Sequence, residues 1–185
     1  MSAFWRFGKI EGKRIYLREV LVSDANEGSN YHKWMNDPEV MKFLESRFQS
    51  WSGEQLSNYV LSMQRNPVIV FLAICLRDVD KHIGNIKLGP INWIHRFADI
   101  ALVIDKPYWN KGYGTEAIQL LSDYAFNTLN LHKVVAGCYE ENDGAIRAFK
   151  KAGFEEEGRL KEQYLFEGYF WRGGFIFSCC SGYYN

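Results

Sequence analysis

The chain has no excess of charge of either sign: 22 basic side chains face 22 acidic ones among 185 residues, so the formal net charge is zero. No global field therefore draws it to nucleic acid or to an anionic membrane, although local basic patches are compatible with that balance. Cysteine is sparse. Cys75, Cys138, Cys179 and Cys180 make no C-x-x-C pair and have no partnering histidine spacing, which argues against a zinc site and a disulfide framework. No metal is expected, and a reduced, cytoplasmic compartment is the simplest home. Long apolar runs are missing too. The longest, PVIVFLAICL, is about ten residues, too short to span a bilayer, and the opening MSAFWRFGKIEGKR lacks the apolar core of a signal peptide. With no internal repeat, low-complexity tract or linker, residues 1–185 are expected to form a single domain with a core of its own.

What is present is periodic. Lys13 to Arg18 alternates polar and apolar as a half-buried strand does. Asp24-x-x-Glu27 reads as a capping box opening a helix through Trp34, and Asp37-Pro38 as a cap with proline at the first helical position. Ser52-x-x-Gln55 starts a further helix to about Arg65. Strands are expected at Val68 to Arg77, His82 to Leu88 and Phe97 to Ile104. Ala117, Ile118, Leu121, Tyr124, Ala125 and Leu129 make one face of a helix from Gly112. Lys133 to Tyr139 is a strand, Asn142 caps a helix stopped by Gly153, and the last strands follow from Phe154. The order β-α-α-α-β-β-β-α-β-α-β-β is an α/β arrangement, a mixed sheet flanked by helices.

The segment WNKGYGTEA carries chemistry. Gly112-Tyr113-Gly114-Thr115-Glu116-Ala117 fits the G-x-G-x-x-G/A pattern of a dinucleotide turn, but that turn follows its strand almost directly. Here Asp105 to Lys111 intervenes, with a proline that cannot continue a ladder, and only about 70 residues follow Gly114. No G-x-x-x-x-G-K-[ST] is present for a nucleoside triphosphate. The remaining reading is a pyrophosphate on the helix N-terminus, held by main-chain N–H groups that glycine leaves exposed, with Lys111 adding charge.

Together, WNKGYGTEA, the helix after it, the strand KVVAGCYEEN and the run N-x-x-A-I-R-x-F-x-K-x-G-F from Asn142 to Phe154 resemble the GCN5-related N-acetyltransferase (GNAT) superfamily, in particular its RimJ/RimL-like branch. The resemblance implies a mixed, mostly antiparallel sheet splayed at its centre, with helices on both faces and the pantetheine arm of acetyl-CoA in the gap. Leu102, Val103 and Ile104 would pair with the pantetheine amides. Lys111, Gly112, Tyr113, Gly114 and Thr115 would hold the pyrophosphate. Asn142, which also suits the helix cap, and Arg147 complete the implied cofactor contacts. Two positions depart from the pattern. Trp109 stands where the superfamily usually has Gln or Arg. Phe149 occupies the place of a tyrosine that serves many members as general acid, and phenylalanine has no proton to give.

Acetyl transfer to an amine needs a base, because a lysine-like amine has a pKa of about 10.4, and an N–H donor for the developing oxyanion. Asp99 is the first candidate base, with His95 and Glu141 behind it. Tyr139 and Tyr164 are candidate acids, and a main-chain N–H near Ile104 would serve the oxyanion. For the acceptor, YHKWMNDPEVMKFL and INWIHRFADI resemble acetyltransferases of amino sugars on nucleotide carriers. Trp34, Trp93 and Phe97 would then stack on the sugar or base, with Lys33, Lys42 or Arg47 on its phosphates. A protein N-terminal amine or another small amine is the alternative acceptor, a homodimer is left open, and the other functional class is a non-catalytic acyl-CoA-binding module.

Overall fold

The computed structural model describes residues 8–166 and 170–183. Among the described residues eight strands form one sheet: β1 (Ile10–Glu11), β2 (Ile15–Glu19), β3 (Val70–Leu76), β4 (His82–Leu88), β5 (Phe97–Ile104), β6 (Lys133–Tyr139), β7 (Glu155–Phe166) and β8 (Phe170–Cys180). Their order across the sheet is β1-β2-β3-β4-β5-β6-β8-β7. The helices are α1 (Asn30–Trp34), α2 (Pro38–Met41), α3 (Gly53–Arg65), α4 (Tyr113–Asn127) and α5 (Asp143–Lys151).

Both faces of the sheet are covered, as the alternation along β2 and β3 requires. Ile15, Leu17, Leu72 and Ile74 point to one side, where Ala117, Ile118 and Leu121 of α4 and Phe149 of α5 complete the core. Tyr16, Ala73 and Cys75 point to the other, under Tyr31 and Trp34 of α1, Val40 of α2, and Leu56 and Val60 of α3. Burial on both faces is why β3 reads as a continuous apolar run. In β4, Ile83 and Ile86 reach the same core despite their odd spacing, because the register slips from Ile74↔Gly84 to Cys75↔His82.

One pairing is parallel, between β5 and β6, and it is short. Phe97↔Lys133, Ala98↔Val134 and Asp99↔Val135 are in register. Beyond them β5 stays with β4 up to Ile104, and β6 stays with β8 up to Tyr139. The two central strands therefore part after Asp99 and Val135, which splays the sheet at its middle as expected.

The sequence reading errs at the first helix. The Asp24 carboxylate accepts from the Arg18 guanidinium at 2.7 and 2.9 Å and from the Leu21 N–H at 2.8 Å. It sits in a 3-10 turn, Val22–Ala25. The helix begins at Asn30 instead, with the Ser29 hydroxyl accepting from the His32 N–H at 3.1 Å. Glu27 caps a different helix: its carboxylate accepts from the Gly53 N–H, at the start of α3, at 2.6 Å. The expected caps at Asp37, Ser52 and Asn142 are formed. The two-residue strand β1 is too short to show a period, and the reading missed it.

Arg18 and Asp24 belong to a polar cluster beneath α1 that also holds His82. The His82 Nε2 lies 2.8 Å from Asn85 Oδ1 and 3.0 Å from the Gly84 carbonyl, and Nδ1 lies 3.8 Å from Asp24. Burial holds the imidazole below its usual pKa, outweighing the opposing pull of Asp24. Because the folded value lies below the unfolded one of about 6.5, His82 favours folding above that pH and penalises it below. The unfolding free energy is expected to hold near pH 7 to 8 and to decline between about pH 6.5 and 5, by up to about 1.4 kcal/mol per pH unit, with the melting temperature falling in step. Thermal melts of His82→Asn in the same window should show that slope removed, at some cost in overall stability.

Candidate active site

The approach to the glycine loop is built by hydrogen bonds of its own. After β5 a 3-10 turn, Lys106–Tyr108, leads to Trp109, whose indole N–H donates to the Ile104 carbonyl at 2.6 Å. Asn110 and Gly112 both take left-handed backbone, at φ 57° and 82°. Those two residues turn the chain sharply enough to start α4 beside the opening between β5 and β6. Glycine is needed at Gly112, where the conformation is unfavourable for other side chains. The helix's first main-chain bond runs from the Glu116 N–H to the Gly112 carbonyl at 3.1 Å. The N–H groups of Tyr113, Gly114 and Thr115 therefore precede the ladder, at the positive end of a 15-residue helix. This is the geometry of an anion cradle.

Arg14 backs the loop, its Nη1 donating to the Lys111 carbonyl at 2.8 Å and its Nε to Glu116 at 2.9 Å. A surface depression at this point is lined by Lys13, Arg14, Gly112, Thr115, Glu116, Gln119 and Lys151. Neither Arg14 nor Lys13 stood out in the sequence beyond their place in a strand pattern.

The strand parting exposes main chain. The Gly89 N–H donates to the Asp99 carbonyl at 2.7 Å and the Asp105 N–H to the Ile83 carbonyl at 2.8 Å. Alternation along an antiparallel pair then turns the main-chain groups of Val103 toward Asn85 of β4, and those of Leu102 and Ile104 toward the gap. Leu102 and Ile104 are thus placed to pair with an extended guest. Val103 is not; its side chain packs against the α1–α3 core. The Ile104 carbonyl already holds Trp109, a function the sequence did not suggest for that residue. Asn142 caps α5, its Oδ1 accepting from the Ala145 N–H at 3.1 Å. Arg147 is exposed on α5.

On the opposite side of the sheet, facing α1–α3, three of the five residues proposed for acid–base work, Asp99, Tyr139 and Tyr164, share one face. Asp99 is the last β5 residue in register with β6, beside Val135. Two residues further along β6, roughly 7 Å, is Gly137, where a Cβ would sit 3.6 Å from the Tyr164 hydroxyl. Tyr164 packs against Tyr139 with ring centroids 4.3 Å apart. The Tyr139 hydroxyl donates to Glu45 and accepts from Arg47 Nη1, each at 2.8 Å, and Arg47 also donates to the carbonyls of Leu44 and Leu165. Partial burial raises the Asp99 carboxyl, against the opposing charge of Lys87. Burial likewise raises the Tyr139 and Tyr164 hydroxyls, with the Glu45 carboxylate pushing the same way. Glu45 was not anticipated, since a turn residue between short helices has no periodic signal.

Other candidates lie apart. His95 is exposed in the β4–β5 loop, its N–H bonded to Asn92, before β5 begins and away from the open end of the gap. Glu141 is exposed in the turn after β6. Trp34 is 3% exposed, with its ring 4.9 Å from that of His82, so it is a core residue and offers no stacking surface. His82 begins β4, whereas Trp93 and Phe97 lie beyond its other end, so the three aromatics share no groove. Lys33 and Lys42 are exposed. Phe149 is 2% exposed between Phe154 and Phe177, its ring part of the core.

Comparison with known proteins agrees with this geometry. A family model described as an acetyltransferase (GNAT) domain matches residues 14–155. The uncharacterized N-acetyltransferase YnaD of Bacillus subtilis is 31% identical over 153 residues, 83% of this chain and 86% of that protein. The spermidine N(1)-acetyltransferase of Vibrio cholerae is 36% identical over 94 residues, 50% of this chain and 54% of its own. The crystal structure of the Vibrio cholerae spermidine N-acetyltransferase with CoA and spermine superposes with a TM-score of 0.82 at 24% identity, covering 94% of this chain and 99% of the other. The splayed sheet, the left-handed glycine turn into α4 and the family match over most of the chain lead to one conclusion: this protein is a member of the GNAT family of N-acetyltransferases.

Proposed function

We propose that this enzyme moves an acetyl group directly from acetyl-CoA to a primary amine of a small cationic molecule of the polyamine type. The observation that carries this reading is the shared face of Asp99, Tyr164, Tyr139 and Glu45 at the strand parting, where Arg47 is already bonded to Tyr139 and to two carbonyls. Carboxylates beside aromatic rings attract an ammonium group, by charge and by the ring faces. The spermidine acetyltransferases among the relatives support the same acceptor class. A nucleotide-linked amino sugar loses support, because Trp34 is in the core and the Arg47 guanidinium is bonded to Tyr139 and to two carbonyls. The protein N-terminal amine of a RimJ/RimL-type enzyme remains the competing acceptor.

Each step falls to a residue of this chain. The arriving amine is protonated at neutral pH, with a pKa of about 10.4, so Asp99 takes its proton directly or through water. The raised Asp99 carboxyl is a better base than an ordinary aspartate. Main-chain N–H groups of Leu102 and Ile104 hold the donor's arm and face the developing negative charge. Tyr164 keeps its proton at neutral pH and gives it to the departing thiolate, the role that Phe149 cannot fill. Because Phe149 is packed in the core while a tyrosine hydroxyl lies on the face of Asp99, its identity gives no reason to prefer a non-catalytic module.

Free-thiol release with acetyl-CoA and a panel of amines tests the acceptor. Linear polyamines are expected to give the highest kcat/KM, above a nucleotide-linked amino sugar and an alanine-terminated peptide; preference for either of the latter would overturn the reading. Asp99→Asn should lower kcat by about 100-fold or more while the KM for acetyl-CoA stays within about threefold. Tyr164→Phe should lower kcat by about 10-fold at unchanged melting temperature, because it removes only a hydroxyl.

A further inference from the structure

The glycine loop is held from outside its own motif. Arg14 stands just before β2, yet its Nη1 donates to the Lys111 carbonyl and its Nε to Glu116 Oε2. The main-chain N–H groups of Arg14 and Ile15 donate to Glu116 Oε1 at 2.8 and 3.3 Å. Glu116 lies in the first turn of α4. One side chain thus ties the residue before Gly112 and a residue of the helix's opening turn to the same point of the sheet edge. Burial alone would raise the Glu116 carboxyl, and these donors outweigh it and lower it. The guanidinium also lies over the Tyr113 ring, 4.9 Å from its centroid.

This arrangement uses two of the three guanidinium nitrogens. Nη2 has no hydrogen-bond partner among the described residues, and it would sit 3.1 Å from a Cβ at Gly112, beside the unladdered N–H groups of α4. Arg14, Gly112 and Thr115 line the same depression, with Lys13 and Lys151 also on its wall. Anything that docks there meets the Nη2 of a guanidinium fixed by its other two nitrogens and the positive end of a helix together, with the Glu116 carboxylate on the same wall already held by Arg14, which suits a phosphate oxygen.

We infer that Arg14 is a phosphate-binding and loop-positioning residue of the acetyl-CoA site: Nε and Nη1 set the loop's shape, and Nη2 donates to a CoA phosphate. The inference rests on the acetyl-CoA reading above. A lysine cannot replace it in full, since an ammonium on a flexible stem cannot hold the Lys111 carbonyl, Glu116 and a phosphate in one plane.

Calorimetric titration with CoA and with pantetheine, which has the arm without the phosphates, tests this on wild type, Arg14→Gln and Arg14→Lys. Arg14→Gln is expected to weaken CoA by about 30-fold and to leave pantetheine within about twofold, while Arg14→Lys weakens CoA by about fivefold. Equal losses on both ligands would mark a general defect of folding and overturn the inference, as would unchanged CoA affinity in Arg14→Gln. If Arg14→Gln fails to fold, the same comparison on Arg14→Lys decides. Wild type binding the two ligands equally would instead overturn the phosphate cradle itself, a failure separate from that of Arg14 alone.

Discussion

The parting of β5 from β6 is the constraint on which the site depends. A sheet normally satisfies every main-chain N–H and carbonyl between neighbours, and leaving a row unpaired costs free energy unless something else pairs with it. Here Asp99↔Val135 is the last parallel pair, and the strands beyond it are held apart because each is committed to its outer neighbour, β4 or β8. Leu102 and Ile104 then offer an edge inside the molecule, protected from another chain and open to an extended ligand. Trp109 covers part of it by bonding the Ile104 carbonyl, which sets where the open row ends.

Everything at the mouth of that opening follows from which face each residue takes. Asp99 and Val135 are in register, so Asp99, Gly137 and Tyr139 share a face, and Tyr164 reaches the same face from β7 because Gly174 leaves room for its ring. A Cβ at Gly174 would meet the Tyr164 ring. The other face carries Ala98, Ile100, Val134 and Ala136 into the core beneath α4 and α5. Chemistry and packing are divided by the pleat of two strands. On the proposed reading, the donor's phosphates dock at α4 on one face and the amine meets the tyrosines and carboxylates on the other, so the gap is the passage between them.

The clusters that hold the helices are polar where the chain must turn and apolar elsewhere. Glu27 docks α3 through the Gly53 N–H, and glycine is required there because a Cβ would meet the Glu27 main chain at 2.5 Å. Arg18, Asp24 and His82 fasten the Val22–Ala25 turn against β4. Asp24 is taken by Arg18 and Leu21 close by and faces His82 far along the chain, and Glu27 reaches Gly53 26 residues away, which is why the two, spaced like a capping box, serve two other purposes.

Local physics alone determined the elements whose causes are local. The period of α4, the caps at Ser52, Asp37 and Asn142, the double-faced run of β3 and the glycine turn at Gly112 depend on spacing and backbone freedom, so they can be read residue by residue. Order and spacing of WNKGYGTEA and the Asn142 to Phe154 run were enough to suggest the family and its splayed sheet. Tertiary structure alone decided which aromatic is core and which carboxylate faces a mouth. Trp34 and Trp93 look alike in sequence, yet one closes α1 and is packed in the core beside His82, and the other is 42% exposed on a loop. Glu45 meets Tyr139 across 94 residues and Arg14 meets Glu116 across 102. Such pairings are set by the order in which strands are laid side by side, and no local period records that order.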